Sequence, residues 1–123
     1  MVEIKIRKQT LALAFTLDAL SEMEKTIPEF SLNDIYKYPK SAGTLADMLY
    51  ILAKYGEDLE GRQLTLERKD FGRLSPSPAK IAEMQVAVFK ALAEGLMMEN
   101  EDDAGEEHDV VLDEIKKKDP KAD

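Results

Sequence analysis

Few residues in this sequence have the chemistry of a nucleophile, a general base or a soft metal ligand: among 123 residues there is one histidine and no cysteine. His108 sits in the acidic run ENEDDAGEEHD. One imidazole among solvated carboxylates reads as surface decoration, because neither a zinc site nor a catalytic pair is complete without further partners. A nucleophile would have to be Ser or Lys with an unusual base. NEDDAGEEHDVV places Asn100, Asp102 and Gly105 at offsets of a calcium loop, yet Ala104 stands where an oxygen ligand belongs and Val111 where the bidentate Glu belongs. GEDLEGRQ spaces Gly56 and Gly61 like a phosphate loop, but Arg62 and Gln63 replace its Lys and Ser/Thr. Glu57, Asp58 and Glu60 would repel phosphate there, so a solvent loop is the plainer reading. The remaining carboxylates of the body are interleaved with Lys and Arg as on solvated helix faces. The expectation is a protein that is not an enzyme and takes no metal or cofactor.

Length and composition frame that expectation. The chain suffices for one domain with a modest core, and 44% apolar with 34% charged residues is a globular composition. No apolar run reaches the roughly 18 residues that a membrane span needs. Glu3, Lys5, Arg7 and Lys8 occupy the place of a signal peptide's apolar segment, which favours a cytoplasmic location. Charge is unevenly spread. Residues 1–98 carry 14 acidic against 13 basic side chains, whereas residues 99–123 carry 11 against 4. The reading is therefore one globular domain over 1–98 and a disordered acidic tail over 99–123, with little to bury and strong self-repulsion. No Lys/Arg cluster rises above background, so nucleic acid is not an expected partner.

The elements that must position any functional surface follow from periodicity. VEIKIR alternates Val2, Ile4 and Ile6 with charges, as a half-buried strand does. The stretch LALAFTLDALSEMEK admits two readings, one long helix, or a strand over Leu11–Phe15 followed by a helix from Asp18. The first strand needs a partner for its edge, which favours the second reading and a β-hairpin, although the intervening KQT lacks Gly or Asn. Asp18–Thr26 then reads as a helix stopped before Pro28. Ser31 with Asp34 opens a helical turn or two through Tyr38. Thr44 caps a central helix bearing Leu45, Met48, Leu49 and Leu52 on one face, ended by Gly56. Thr65 caps a short helix around Leu66–Leu74, and Ser77-Pro78 starts a last helix over about Ala79–Met97. The fold class is α+β, mostly α: a small N-terminal hairpin followed by four to five short helices.

The last helix carries a narrow polar stripe of Lys80, Glu83, Lys90 and Glu94. Ile81, Met84, Val88 and Leu92 lie on one side of it, and Val86, Phe89, Ala93 and Leu96 on the other. Such a wide apolar arc can be core throughout, or part of it can face a partner. The candidate partner-binding residues are Val86, Phe89, Leu96, Met97 and Met98, methionine being well suited to varied apolar surfaces. Phe15, Leu17 and Met23 read as core. The apolar surplus of the helix also suggests weak self-association.

A short strand pair, then FTLDALSEMEKTIPEFSLNDI, then TLADMLYILAKYGED, resembles the tail assembly chaperones of long-tailed bacteriophages. Their motif aromatic-x-apolar-x-Ala-apolar-x-x-apolar-Glu is matched by Phe15, Leu17, Ala19, Leu20, Met23 and Glu24. SLNDIY, the central-helix residues Leu45, Met48, Leu49 and Leu52, and Leu64–Glu67 extend the likeness over roughly residues 2–75. The chain departs from the pattern at Lys8 and Gln9, where Gly or Asn is usual in the first turn, and at Tyr50, where a Trp is common. The resemblance implies a non-enzymatic chaperone in the host cytoplasm. It would coat the tape-measure protein during tail tube assembly, meet the tail tube protein as a second candidate partner, and be missing from the mature virion. Members of that family are commonly made in two lengths by ribosomal slippage, for which Lys116–Lys118 could supply an adenine run, although a charge-balancing patch beside Asp113, Glu114 and Asp119 is the plainer reading of these lysines. The alternative expectation is a stand-alone acidic helical interaction module, an adaptor or inhibitor whose tail engages a basic partner.

Overall fold

A computed structural model describes the backbone of residues 1–106 and the side chains of residues 1–97. Two strands, β1 (Val2–Ile6) and β2 (Gln9–Leu13), precede helices α1 (Leu17–Thr26), α2 (Ala42–Leu59), α3 (Arg68–Gly72) and α4 (Pro78–Glu106), with a 3₁₀ segment at Leu32–Lys37. This is the expected α+β, mostly helical architecture opening on a hairpin.

The strands pair antiparallel with Ile4 opposite Leu11 and Ile6 opposite Gln9. The connection is only Arg7 and Lys8, at φ 51° and 68°. Those values give a turn with left-handed backbone at both positions, which matches the strand twist without glycine. The tighter turn moves β2 to Gln9–Leu13, two residues earlier than its sequence pattern suggested. Alternation then works as expected: Ile4, Ile6, Leu11 and Leu13 are buried.

Helix starts differ from expectation where a nearer oxygen wins the capping role. Thr16 caps α1 by accepting from Ala19 N–H, and Ser41, not Thr44, caps α2 by accepting from Thr44 N–H at 3.1 Å. Glu67 and Asp70 form a reciprocal capping box on α3 in place of Thr65. Ser77 accepts from Lys80 N–H at the start of α4. The Ser31–Tyr38 stretch is 3₁₀ rather than α, with Ser31 accepting from Asn33 N–H. Helix α4 continues through Glu106, past the end expected at Met97, since neither proline nor glycine interrupts 96–104. Residues 107–123, with most of the acidic segment, His108 and Lys116–Lys118, lie outside the described residues.

Helix α2 lies at the centre. Leu45, Met48, Leu49, Ile51, Leu52 and Ala53 are all buried, against β2 on one side and α1, α3 and α4 around it. Met84, Val88 and Leu92 of α4 close the same core, with Ala19 and Met23 from α1. Gly56 does not end α2. It sits inside the helix where a Cβ would overlap the Ala12 carbonyl of β2, so the missing side chain serves close packing of helix on strand. Gly95 plays the same part between α4 and Phe15, whose Cβ would lie 2.8 Å from a Cβ at that position.

Candidate functional site

Burial on α4 divides its apolar residues as the sequence grouped them. Met84, Val88 and Leu92 face the core, whereas Val86 and Phe89 are each 51% exposed, and Ala93 and Leu96 are partly so. The five candidate partner-binding residues nevertheless do not form one patch. At about 100° per residue, Val86 and Phe89 point roughly 60° apart. Val86 lines a cleft beside β1 with Lys90 and Glu94, while Phe89 lies over Tyr36 of the 3₁₀ segment, ring centroids 5.3 Å apart. Leu96 turns the same way as Phe89 and meets Phe15, Leu17, Leu20 and Leu32 around a small apolar groove of about 180 Å³. Met97 is exposed, and the Met98 side chain lies outside the described residues.

Three elements thus supply a shared apolar surface: the start of α1, the 3₁₀ segment and the outer flank of α4. Leu17 is 80% exposed and Tyr36 55%, with Leu32 also exposed. Leu17 departs from the core role assigned to it. It is the first residue of α1, two positions before Ala19, and two residues turn a helix by about 200°, so Ala19 and Met23 can be buried only if Leu17 faces out. That spacing was the available signal. Leu32 and Tyr36 carried no periodic signal, since a six-residue 3₁₀ segment is too short to show one. Phe15 is half-buried, held between Gly95 and the groove.

Several charged groups elsewhere are engaged within the fold. Glu57, expected in a solvent loop, is 5% exposed. It accepts the Ala12 N–H at 2.8 Å and two bonds from the Arg62 guanidinium, both at 2.9 Å. The Arg62 bonds hold its carboxyl below its ordinary value, with the Ala12 N–H assisting against the opposing effect of burial. Glu22 bonds both Lys54 at 3.1 Å and the Tyr55 hydroxyl at 2.7 Å. Burial would raise its carboxyl, but the Tyr55 and Lys54 bonds outweigh that and lower it. A wider groove of about 730 Å³ between Tyr50, Tyr55 and the Gly61–Leu66 strand of chain therefore offers no free cation, because Lys54 and Arg62 already have partners. Among the described residues no three His, Asp or Glu side chains gather as a metal site, and no helix is long and apolar enough to cross a membrane.

No family model matches the chain, and comparison with curated proteins and with solved structures finds no match either.

Proposed function

We propose that this protein is a phage tail assembly chaperone that binds the tape-measure protein and keeps it soluble while the tail tube assembles. The observation that supports this most is the apolar surface shared by α1, the 3₁₀ segment and α4, with Leu17 and Leu32 exposed at a groove that Leu96 also lines, and the stacked Tyr36 and Phe89 rings exposed on the same two elements, the 3₁₀ segment and α4. An amphipathic or apolar helix is recognised by such a groove through anchors on one of its faces. A long apolar rod needs many small subunits to cover it. The sequence likeness to the chaperone family supplies the rest. The protein acts in the host cytoplasm and is missing from the finished particle, with the tail tube protein as a further partner.

The test is co-expression of the full chain with the long tape-measure protein encoded beside its gene. The expected result is a soluble complex on sizing, lost with Phe89→Asp or Leu17→Asp while the variants remain folded. An insoluble tape measure with no co-eluting complex removes the reading. Under the alternative, an acidic adaptor, deletion of residues 99–123 abolishes partner binding and the two aspartate variants do not.

A further inference from the structure

The hairpin is a two-stranded sheet, so each strand has one outer edge, and the two edges meet different fates. On β2, Ala12 N–H is taken by Glu57 and Ala14 N–H by the Leu52 carbonyl at 3.1 Å. On β1 the outward backbone groups belong to Glu3 and Lys5, because Ile4 and Ile6 face β2 in the ladder. Among the described residues none hydrogen-bonds those outward groups. Beside them runs a cleft of about 420 Å³ between β1 and the Val86–Lys90–Glu94 flank of α4, closed at one end where Glu94 accepts from Val2 N–H.

We propose that β1 pairs antiparallel with β1 of a second copy of this chain, about a two-fold axis at Ile4. The charge pattern selects both the occupant and the register. Glu3 and Lys5 are exposed, and neither has an ion-pair partner among the described residues. Only registers that set outward groups against outward groups can form the ladder. With the axis at Ile4, Glu3 of each copy opposes Lys5 of the other, and each such pair exchanges two backbone hydrogen bonds. With the axis at Glu3, the two Glu3 side chains oppose each other. With the axis at Lys5, the two lysines do. Like charges directly opposite destabilise a strand pair, and opposite ones stabilise it. Lysine on an edge strand ordinarily discourages pairing with other chains. Here the alternating signs discourage foreign strands and the wrong registers while leaving one self-complementary arrangement. The same axis brings the cleft-side strip of α4, with its exposed Val86, towards its mate. This interface is separate from the groove at Leu17, Leu32 and Leu96 and from the Tyr36–Phe89 pair, so it stands whether or not the tape-measure reading does.

Sedimentation velocity of the full chain over a wide concentration range tests it. The native chain is expected to show reversible monomer–dimer association. Glu3→Lys and Lys5→Glu each set like charges opposite and are expected to raise the dissociation constant about tenfold. The double variant Glu3→Lys/Lys5→Glu restores association, and so does mixing the two single variants, which re-creates opposite charges only across the copies. Lys5→Pro removes an N–H that makes no bond within the hairpin, so it keeps the fold by circular dichroism and abolishes the dimer. A native chain that stays monomeric at every concentration overturns the proposal. So does association that is unchanged by the charge variants and by Lys5→Pro, or single variants that do not recover on mixing.

Discussion

The two edges of the hairpin carry similar backbone groups, yet one is sealed by a helix and the other is open. Helix α2 seals β2 with three devices within six residues: the Leu52 carbonyl, a glycine at 56 that lets the backbones approach, and the Glu57 carboxylate on Ala12 N–H. Buried backbone donors must find partners, and here the acceptors come from a helix rather than a third strand. Beside β1, α4 packs along the strand but among the described residues hydrogen-bonds it only at Val2, whose N–H goes to Glu94, and the outward groups of Glu3 and Lys5 are left without such acceptors. The difference shows which part of the hairpin belongs to the monomer's stability. The β2 edge is a packing surface, and the β1 edge is available to a partner.

Changes on the sealed side should therefore cost far more than changes on the open side. Gly56→Ala forces a methyl group into the Ala12 carbonyl and is expected to lower unfolding free energy by about 3 kcal/mol, read from the denaturant midpoint. Glu57→Ala leaves Ala12 N–H buried without an acceptor, a loss of about 1–3 kcal/mol, whereas Glu57→Gln keeps an oxygen for that bond and loses less. Acid should act in the same direction. The folded state holds the Glu57 carboxyl below its ordinary value near 4.5, so it binds that proton less readily than the unfolded chain does. Its contribution is complete above that ordinary value and disappears as pH falls through the lower folded value. In a thermal melt series, Glu57→Gln should flatten this acid-side loss. At the small end, Glu3→Ala and Lys5→Ala should leave monomer stability within about 0.5 kcal/mol of the native chain, because neither side chain is buried or paired. A large loss there would show that the open edge is structural after all.

Much of this was legible in the sequence. Alternation at Val2, Ile4 and Ile6 identified β1 because its period survives any choice of turn. The division of α4 into a core side and an outer side was legible for the same reason, over a helix long enough to repeat. The sealing of β2 was not. A glycine near a helix end reads as a terminator, and its close contact with Ala12 depends on a strand 44 positions earlier in the chain. Glu57 read as solvent-facing because carboxylates are rarely buried unless paired, and its pairing with Arg62 requires the turn at Gly61, whose φ is 78°. The binding surface was half legible. Phe89 and Leu96 stood out, but Val86 was grouped with them although it faces the β1 cleft, and Leu17 was assigned inward. Tyr36 and Leu32 enter only through tertiary placement.

The Arg7-Lys8 turn bears on the order in which the chain folds. Both residues hold left-handed backbone, a conformation that non-glycine side chains adopt at a cost, and neither offers the short polar side chain that eases it. A hairpin closed by such a pair does not nucleate itself. It waits for α2 to present Leu52, Gly56 and Glu57, so residues 1–15 should be structureless as a peptide and late in the folding reaction. Replacing the pair with Asn-Gly, the sequence best adapted to this turn, would stabilise an element formed late in folding, with the gain appearing mainly as slower unfolding.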